Sequence, residues 1–241
     1  MARWATTITT ARRCSMPLTT DMHSQRRLLQ LLHLCSPSLP VGGYAYSQGL
    51  EGAVDMGWVS DAASLEGWLH SQLRHSLAHL ELPVVQRCHA ASAACDLVTL
   101  EHWNAWLLAC RETEELRMGD TATGAALARL LPSLNVPVPK ISTPTFLALF
   151  ASAGAHWCIS AEDCLAAYAW IWLENQVLAA TKLIPLGQTR AQQLLIALQN
   201  EVVEALTLAL AVSDDEVGAS LMGLAIASQH HETQYSRLFR S

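Results

Sequence analysis

Apolar residues recur along most of the chain at helical spacing, and the alternation typical of β-strands is nearly absent. The clearest stretch is 189–212, whose apolar positions are Leu194, Leu195, Leu198, Val202, Leu206 and Ala209, with Gln192, Gln199, Asn200 and Glu201 on the opposite side. Such spacing places one apolar stripe on a helix. We therefore predict an all-α, single-domain bundle of about ten helices. They are placed near residues 24–35, 46–57, 61–80, 83–94, 99–118, 120–131, 143–156, 161–182, 189–212 and 214–228.

Several helix boundaries carry recognisable signals. Asp61 and Ser160 are predicted N-caps, because short polar side chains accept hydrogen bonds from the free N–H groups of a first helical turn. Asp214 and Asp215 are expected to play that part for the last long helix. The proline-rich stretch 132–139 is the longest run of helix breakers. It has the length of an ordinary connection, so we place it within one domain.

Composition narrows the possible functions. The 241 residues are 51% hydrophobic but only 15% charged, against about 25% charged in a typical soluble protein. This balance excludes intrinsic disorder and suggests that a partner covers part of the surface. The net charge is −6, and the 15 Lys and Arg residues form no basic stripe, so no nucleic-acid partner is expected. No apolar run reaches about 18 residues, so no membrane contact is expected.

Cysteines and histidines give no clear site. The seven cysteines are scattered and form no CxxC motif, which indicates a reducing, cytoplasmic location. His75 and His79 share a helical face and could bind zinc with a third ligand, but a plain polar face is favoured because the HExxH pattern is absent. No phosphate-binding glycine motif or nucleophile elbow occurs. The chain is therefore expected to have no catalytic residues, no metal site and no cofactor.

The RETEELR segment (111–117) concentrates charge within two turns. Arg111 and Glu115 are four residues apart, and Glu114 and Arg117 are three apart, so both pairs could form on a helix surface. Paired arginines keep carboxylates ionised, which disfavours an acid–base role. We predict a solvated or docking face.

Two segments have compositions that differ from those of buried core helices. The first, SPSLPVGGYAYSQGLE (36–51), places Tyr44 and Tyr46 beside prolines and glycines that make the backbone irregular. It suits a protein contact or a tight corner between helices. The second is the tail 229–241, which carries aromatic and arginine residues of the kind that anchor interfaces. It suits either a docking segment or a chain end packed on its own body.

The same segments carry a resemblance to a known family. The stretches LLQLLHLCSPSLPVGGYAYSQGLEGAV, WLENQVLAATKLIPLGQT and GLAIASQHHETQYSRLFRS, with RETEELR and GAALARLLPSL between them, are similar to the urease accessory proteins of the UreF family. The similarity runs from about residue 25 to the end of the chain.

The resemblance implies an all-helical, dimeric, non-enzymatic chaperone for nickel insertion. It would join a UreD/UreH-type protein and the GTPase UreG in a complex with apo-urease. The tail would dock the UreD/UreH-type partner, and the region around Lys182 would contact the GTPase. An alternative is a GTPase-activating protein that supplies Arg111, Arg117 or Lys182 to UreG in trans. The candidate partner-binding residues are Tyr44, Tyr46, Lys182, His231, Glu232, Tyr235, Arg237, Phe239 and Arg240.

Residues 1–23 stand apart from this resemblance. They are rich in Thr and Arg and have no acidic residue before Asp21. That composition resembles a transit peptide, but we favour a disordered extension, or a start codon placed too early with Met16 or Met22 as the true start. We therefore divide the chain into an extension (1–23), a helical domain (24–228) and a docking tail (229–241).

Overall fold

The structure, a computed structural model, describes residues 22–240, and within that range it is built from α-helices without β-strands. The predicted all-α bundle is thus confirmed. The eleven α-helices are α1 Met22–Leu34, α2 Leu50–Asp55, α3 Ala62–Gln72, α4 Glu81–Ala93, α5 Leu97–Ala109, α6 Glu114–Leu130, α7 Phe146–His156, α8 Ala161–Leu183, α9 Gln188–Ala197, α10 Gln199–Ala211 and α11 Met222–Glu232. A π-helical turn, Leu73–Leu77, extends α3, and 3₁₀ turns cover Gly43–Ala45, Leu131–Leu134 and Asp214–Glu216.

The core forms around α4, which packs against α5, α7, α8 and α10. The middle of α7 is buried on every side, and α8 buries the small and large side chains that face α4. Gly154 shows how close this packing is, since a Cβ there would meet Sγ of Cys164. The central helices are therefore apolar because they are enclosed by other helices.

Two predicted N-caps are confirmed. The Asp61 carboxylate accepts the backbone N–H of Ser64 at 2.9 Å, and Ser160 Oγ accepts that of Asp163 at 3.1 Å. The predicted cap at Asp214 and Asp215 is wrong. Both residues lie in a 3₁₀ turn that ends before an extended segment, and α11 begins only at Met222.

The predicted boundary between the helices 99–118 and 120–131 is also wrong. The chain leaves helical geometry after α5 and re-enters it at Glu114, and the hydroxyl of the preceding Thr113 caps α6 by accepting the N–H of Leu116. The RETEELR segment therefore spans a loop and the start of a helix. Residues 111–115 contain no apolar side chain, so hydrophobic periodicity gives no position for the break, and the helix start depends on the Thr113 cap.

The predicted helix 189–212 is divided into α9 and α10 at Leu198. Over an 18-residue window, Gln188–Ala211 has a mean hydropathy of 1.6, and 33% of that window is buried. By length and composition alone the segment could cross a membrane, a test that core helices of soluble proteins also pass. The predicted absence of membrane contact stays a prediction.

The predictions for the N-terminal extension fall almost entirely outside the described residues. Of 1–23, only Met22 and His23 are described, and they form the first turn of α1. Helix α1 continues with Leu28, Leu29 and Leu32 exposed. The proposed division of the chain at residues 23 and 228 stays a prediction, and α11 extends past the second boundary to Glu232.

Candidate functional site: the surface formed by the C-terminal segment

Helices α2 and α11 approach each other more closely than side chains permit. A Cβ on Gly52 would lie 2.1 Å from the carbonyl oxygen of Ala227. Gly49, the residue before α2, has φ +82°, and a Cβ there would lie 2.8 Å from Cδ1 of Leu224. The two glycines of the SQGLEG sequence therefore let the backbones touch. This contact brings the end of α11 against Glu51 of α2.

A buried cluster of charged side chains lies at that contact. His231 is fully enclosed, and its ring nitrogens lie 2.7 Å (Nδ1) from Oε2 of Glu115 and 3.0 Å (Nε2) from Oε2 of Glu51. Glu115 also accepts a hydrogen bond from Nη1 of Arg237 at 2.8 Å. The cluster therefore joins α2, α6, α11 and the residues that follow α11.

Residues 233–240, here called the C-terminal segment, fold back over α2. The Glu51 carboxylate accepts the backbone N–H groups of Leu238 at 2.7 Å and of Phe239 at 2.8 Å. Beyond them, the N–H of Arg240 donates to the carbonyl of Ala45 at 2.8 Å. The Phe239 ring is buried beneath Nζ of Lys182, which lies 5.5 Å from its centroid. The Glu51 carboxylate and the Ala45 carbonyl together hold residues 238–240 against the body.

These contacts build one surface from three distant parts of the sequence. Tyr44 projects from the 3₁₀ turn that receives Arg240, and Lys182 stands at the end of α8 over the C-terminal segment. Tyr44 is 60% exposed and Leu238 is 61% exposed, and the Lys182 and Arg240 side chains are also exposed. We call Tyr44, Lys182, Leu238 and Arg240 the composite surface. Tyr44 and Arg240 are of the residue types that anchor protein interfaces.

The two tyrosines of the 36–51 segment have opposite environments. Tyr44 faces solvent, whereas Tyr46 is buried beside a cleft between this segment and α8. Nε2 of Gln176 donates to the Ser47 carbonyl at 3.0 Å and fixes the segment against α8. The segment is therefore both a tight corner and the carrier of one exposed aromatic side chain.

The predicted partner-binding residues divide into exposed and enclosed groups. Tyr235 is fully exposed, and Arg237 is partly exposed beside Glu115. His231 and Phe239 are buried, and Oε1 of the half-buried Glu232 accepts the N–H of Glu115. The contacts of the enclosed residues are with their own chain, and a partner-binding role for any of these residues stays a prediction.

The predicted surface ion pairs of RETEELR are wrong. Arg111 precedes the helix and is buried, donating to Glu81 at 2.6 Å and to Asp120 at 2.7 Å. Glu115 turns the other way, into the His231 cluster. Burial raises the pKa of the Asp120 carboxyl, although the neighbouring Arg111 lowers it. The RETEELR segment therefore stabilises the interior, because the loop at 110–113 places the Arg111 side chain inside the protein.

His75 and His79, considered above as a zinc pair and interpreted as a polar face, have no third metal ligand among the described residues. His75 and His79 lie on or beside the π-helical turn, and among residues 22–240 no group of three or more His, Cys, Asp or Glu side chains is placed to bind a metal ion. Burial raises the pKa of the Cys88 and Cys164 thiols to about 12. Both thiols therefore stay protonated at neutral pH.

The fold and the composite surface define an all-helical protein whose C-terminal segment is held on the body by buried charges. The sequence comparisons agree with that class. A model of the UreF family matches residues 59–199. The urease accessory protein UreF of Marinomonas sp. is 48% identical over 226 residues, covering 93% of this chain and 96% of that protein.

Two further relatives carry the same name. The urease accessory protein UreF of Alkalilimnicola ehrlichii is 50% identical over 222 residues, covering 90% of this chain and 96% of that protein. That of Teredinibacter turnerae is 50% identical over 218 residues, covering 89% and 99%. The chain belongs to the UreF family.

Proposed function

We propose that this protein is a non-catalytic accessory protein of urease maturation, located in the cytoplasm. It bridges a UreD/UreH-type protein and the GTPase UreG, so that nickel is inserted into apo-urease within one complex. Its relatives are named urease accessory proteins, and the composite surface supplies the contact. The observation that carries the proposal is the meeting of Tyr44, Lys182 and the C-terminal segment, which are far apart in the sequence.

Tyr235 offers the sharpest test of the contact with the UreD/UreH-type partner. Its side chain is fully exposed, so Tyr235→Ala removes a large aromatic group and leaves the described packing intact. If Tyr235 anchors the interface, the loss is about 2 kcal/mol or more, equivalent to roughly a 30-fold rise in Kd. Biolayer interferometry with the purified UreD/UreH-type protein measures this change.

The control for that experiment is Val98→Ala, which trims another highly exposed side chain at the start of α5. Circular dichroism should give the same helicity for both variants. An unchanged Kd for Tyr235→Ala would contradict the proposed docking role of the C-terminal segment.

A role as a GTPase-activating protein is the alternative function. Arg111 is enclosed by Glu81 and Asp120, so it is not available to UreG in this conformation. Arg117 and Lys182 are exposed and remain candidates. Single-turnover GTP hydrolysis by UreG separates the two functions. An activating protein would raise the rate by about 10³-fold or more, whereas a scaffold would leave it unchanged.

The proposal includes a homodimer. Ile196, Val203 and Leu210 are 68%, 59% and 46% exposed and recur every seven residues along α9 and α10. That repeat places them on one stripe suited to pairing with another helix. We place the dimer contact there, with the same stripe of a second copy as its partner.

A further inference from the structure

A groove lies between the end of α1, the 36–51 segment and α8. It contains about 600 Å³ of space and is partly open to solvent. Its lining is mainly apolar and includes Leu39, Val41, Ile171 and Leu178. Leu39 is buried, whereas Leu178 is 39% exposed. A concave and mostly apolar site with a few polar groups is the form in which proteins commonly receive a ligand or a partner's side chain.

The groove contains a carboxylate that has no partner. Glu174 of α8 lines the groove and is half-buried. Among the described residues, none forms a hydrogen bond or an ion pair with its side chain. Burial raises the pKa of the Glu174 carboxyl, and no neighbouring cation lowers it. The carboxylate lies near Cys35, whose thiol pKa is raised to about 11 by burial and then by the negative charge of Glu174.

The charge and the lining define the chemistry of an occupant. A carboxylate that is partly removed from water is stabilised by an opposite charge close to it. A lysine or arginine side chain supplies that charge, and its aliphatic stem can lie along apolar walls. A neutral occupant would leave Glu174 unpaired and further desolvated, and an acidic one would be repelled. The groove therefore suits a basic side chain with an apolar neighbour.

The groove is continuous with the composite surface. Tyr44 belongs to both, because it lines the groove and is also 60% exposed. Leu178 lies four residues before Lys182 on α8, so the two side chains share one face of that helix. A partner that covers the composite surface is therefore placed to reach into the groove.

We propose that the groove receives a basic segment of the protein that docks on the composite surface. A lysine or arginine of that segment pairs with Glu174, and an adjacent apolar side chain packs against Ile171 and Leu178. The inference rests on the proposed function, which supplies the partner, and it adds the chemistry by which that partner is recognised. Because the ion pair forms only in the complex, Glu174 contributes to affinity and not to the stability of the free chain.

Glu174→Gln tests the pairing, because it removes the charge and keeps the shape of the side chain. With the purified UreD/UreH-type protein as the probe, biolayer interferometry should show a rise in Kd of about tenfold. Urea unfolding of the free variant should show no loss of stability, since no partner of Glu174 is removed. Glu162→Gln is the matched control near the other end of α8. It makes the same change in net charge at an exposed site and should change Kd by less than about twofold.

Carboxyl labelling shows directly whether the groove is filled. Carbodiimide coupling to glycine ethyl ester, read by mass spectrometry, should label both Glu174 and Glu162 in the free protein. Addition of the UreD/UreH-type protein should protect Glu174 and leave Glu162 labelled. Glu174 that is already protected in the free protein, or that becomes protected as the protein's own concentration rises, would assign the groove to this chain or to a second copy and overturn the proposal.

The measurements separate failure of this inference from failure of the proposed function. If Tyr235→Ala weakens binding but Glu174→Gln binds like Glu162→Gln, the groove assignment is wrong and the docking role of the C-terminal segment stands. A destabilised Glu174→Gln would assign this residue a structural role and would also overturn the inference. A wild-type protein that does not bind the UreD/UreH-type protein would overturn both.

Discussion

Arg111 is buried between two carboxylates, and its surroundings make it a residue on which stability should depend. Glu81 and Asp120 lie within 2.7 Å of its guanidinium, and all three side chains are at most 9% exposed. Replacing Arg111 by Met leaves two buried carboxylates without a cation. Removal of one partner from a buried ion pair costs about 3–5 kcal/mol. Urea unfolding of Arg111→Met should show a loss of that size.

The pH dependence of this loss has a defined sign. Burial raises the pKa of Asp120 even in the presence of Arg111. Without Arg111 the folded-state pKa rises further above the unfolded value, so the folded protein binds more protons as pH falls. The deficit of Arg111→Met should therefore shrink towards acidic pH. Arg117→Met is the matched control from the same segment, because Arg117 is exposed, and a loss equal to that of Arg111→Met would contradict this account.

At the scale of elements, the packing of α2 on α11 requires a residue without a side chain at position 52. A Cβ at residue 52 would lie 2.1 Å from the Ala227 carbonyl, and both groups are part of rigid helices. Gly52→Ala should force the helices apart and lower the free energy of unfolding by about 1–3 kcal/mol, the usual cost of overpacking. It should also loosen the C-terminal segment, because Glu51 moves with α2.

Gly67→Ala is the matched control within a helix. A Cβ at residue 67 meets nothing within 4 Å, and Gly67 lies inside α3. Alanine is the better helix former by about 1 kcal/mol, so this variant should be more stable than the wild type. Thermal unfolding of the two variants should shift in opposite directions, and equal destabilisation by both would contradict the role assigned to Gly52.

At the scale of the whole molecule, the homodimer contact proposed on the exposed stripe of α9 and α10 can be tested by placing a charge there. Val203→Glu places a charge at the centre of that stripe, where burial against a second copy would remove it from water. The variant should therefore be monomeric at concentrations where the wild type is dimeric. Light scattering coupled to size-exclusion chromatography measures the mass. Val98→Glu, on an exposed valine of α5, should leave the dimer intact, and a dimeric Val203→Glu would exclude this stripe as the interface.

Much of the fold could be predicted because it follows from local chemistry. Apolar spacing identifies helices without knowledge of their neighbours, and Asp61 and Ser160 cap the turns that directly follow them. Such interactions lie within one turn of chain. The prediction was wrong at Thr113, whose hydroxyl caps a new helix within a run of five polar residues where apolar spacing gives no information.

The residues of the buried His231 cluster could not be identified in this way. Glu51 meets the N–H of Phe239 across 188 residues, and His231 meets Glu115 across 116. Charged side chains in a sequence are expected at the surface, and no local signal marks these as buried. The one available sign was the pair of glycines flanking Glu51, which indicates close backbone contact without naming the partner.

The sequence by itself determined that the protein is helical, that it belongs with the UreF proteins, and that its 36–51 segment and its tail are distinctive. Only the tertiary structure decided that these two segments meet, that Phe239 turns inwards while Tyr235 faces solvent, and that Arg111 stabilises the interior. The physical reason is distance along the chain. Helical propensity and capping act over a few residues, whereas the burial and pairing of a charge depend on which helices come together.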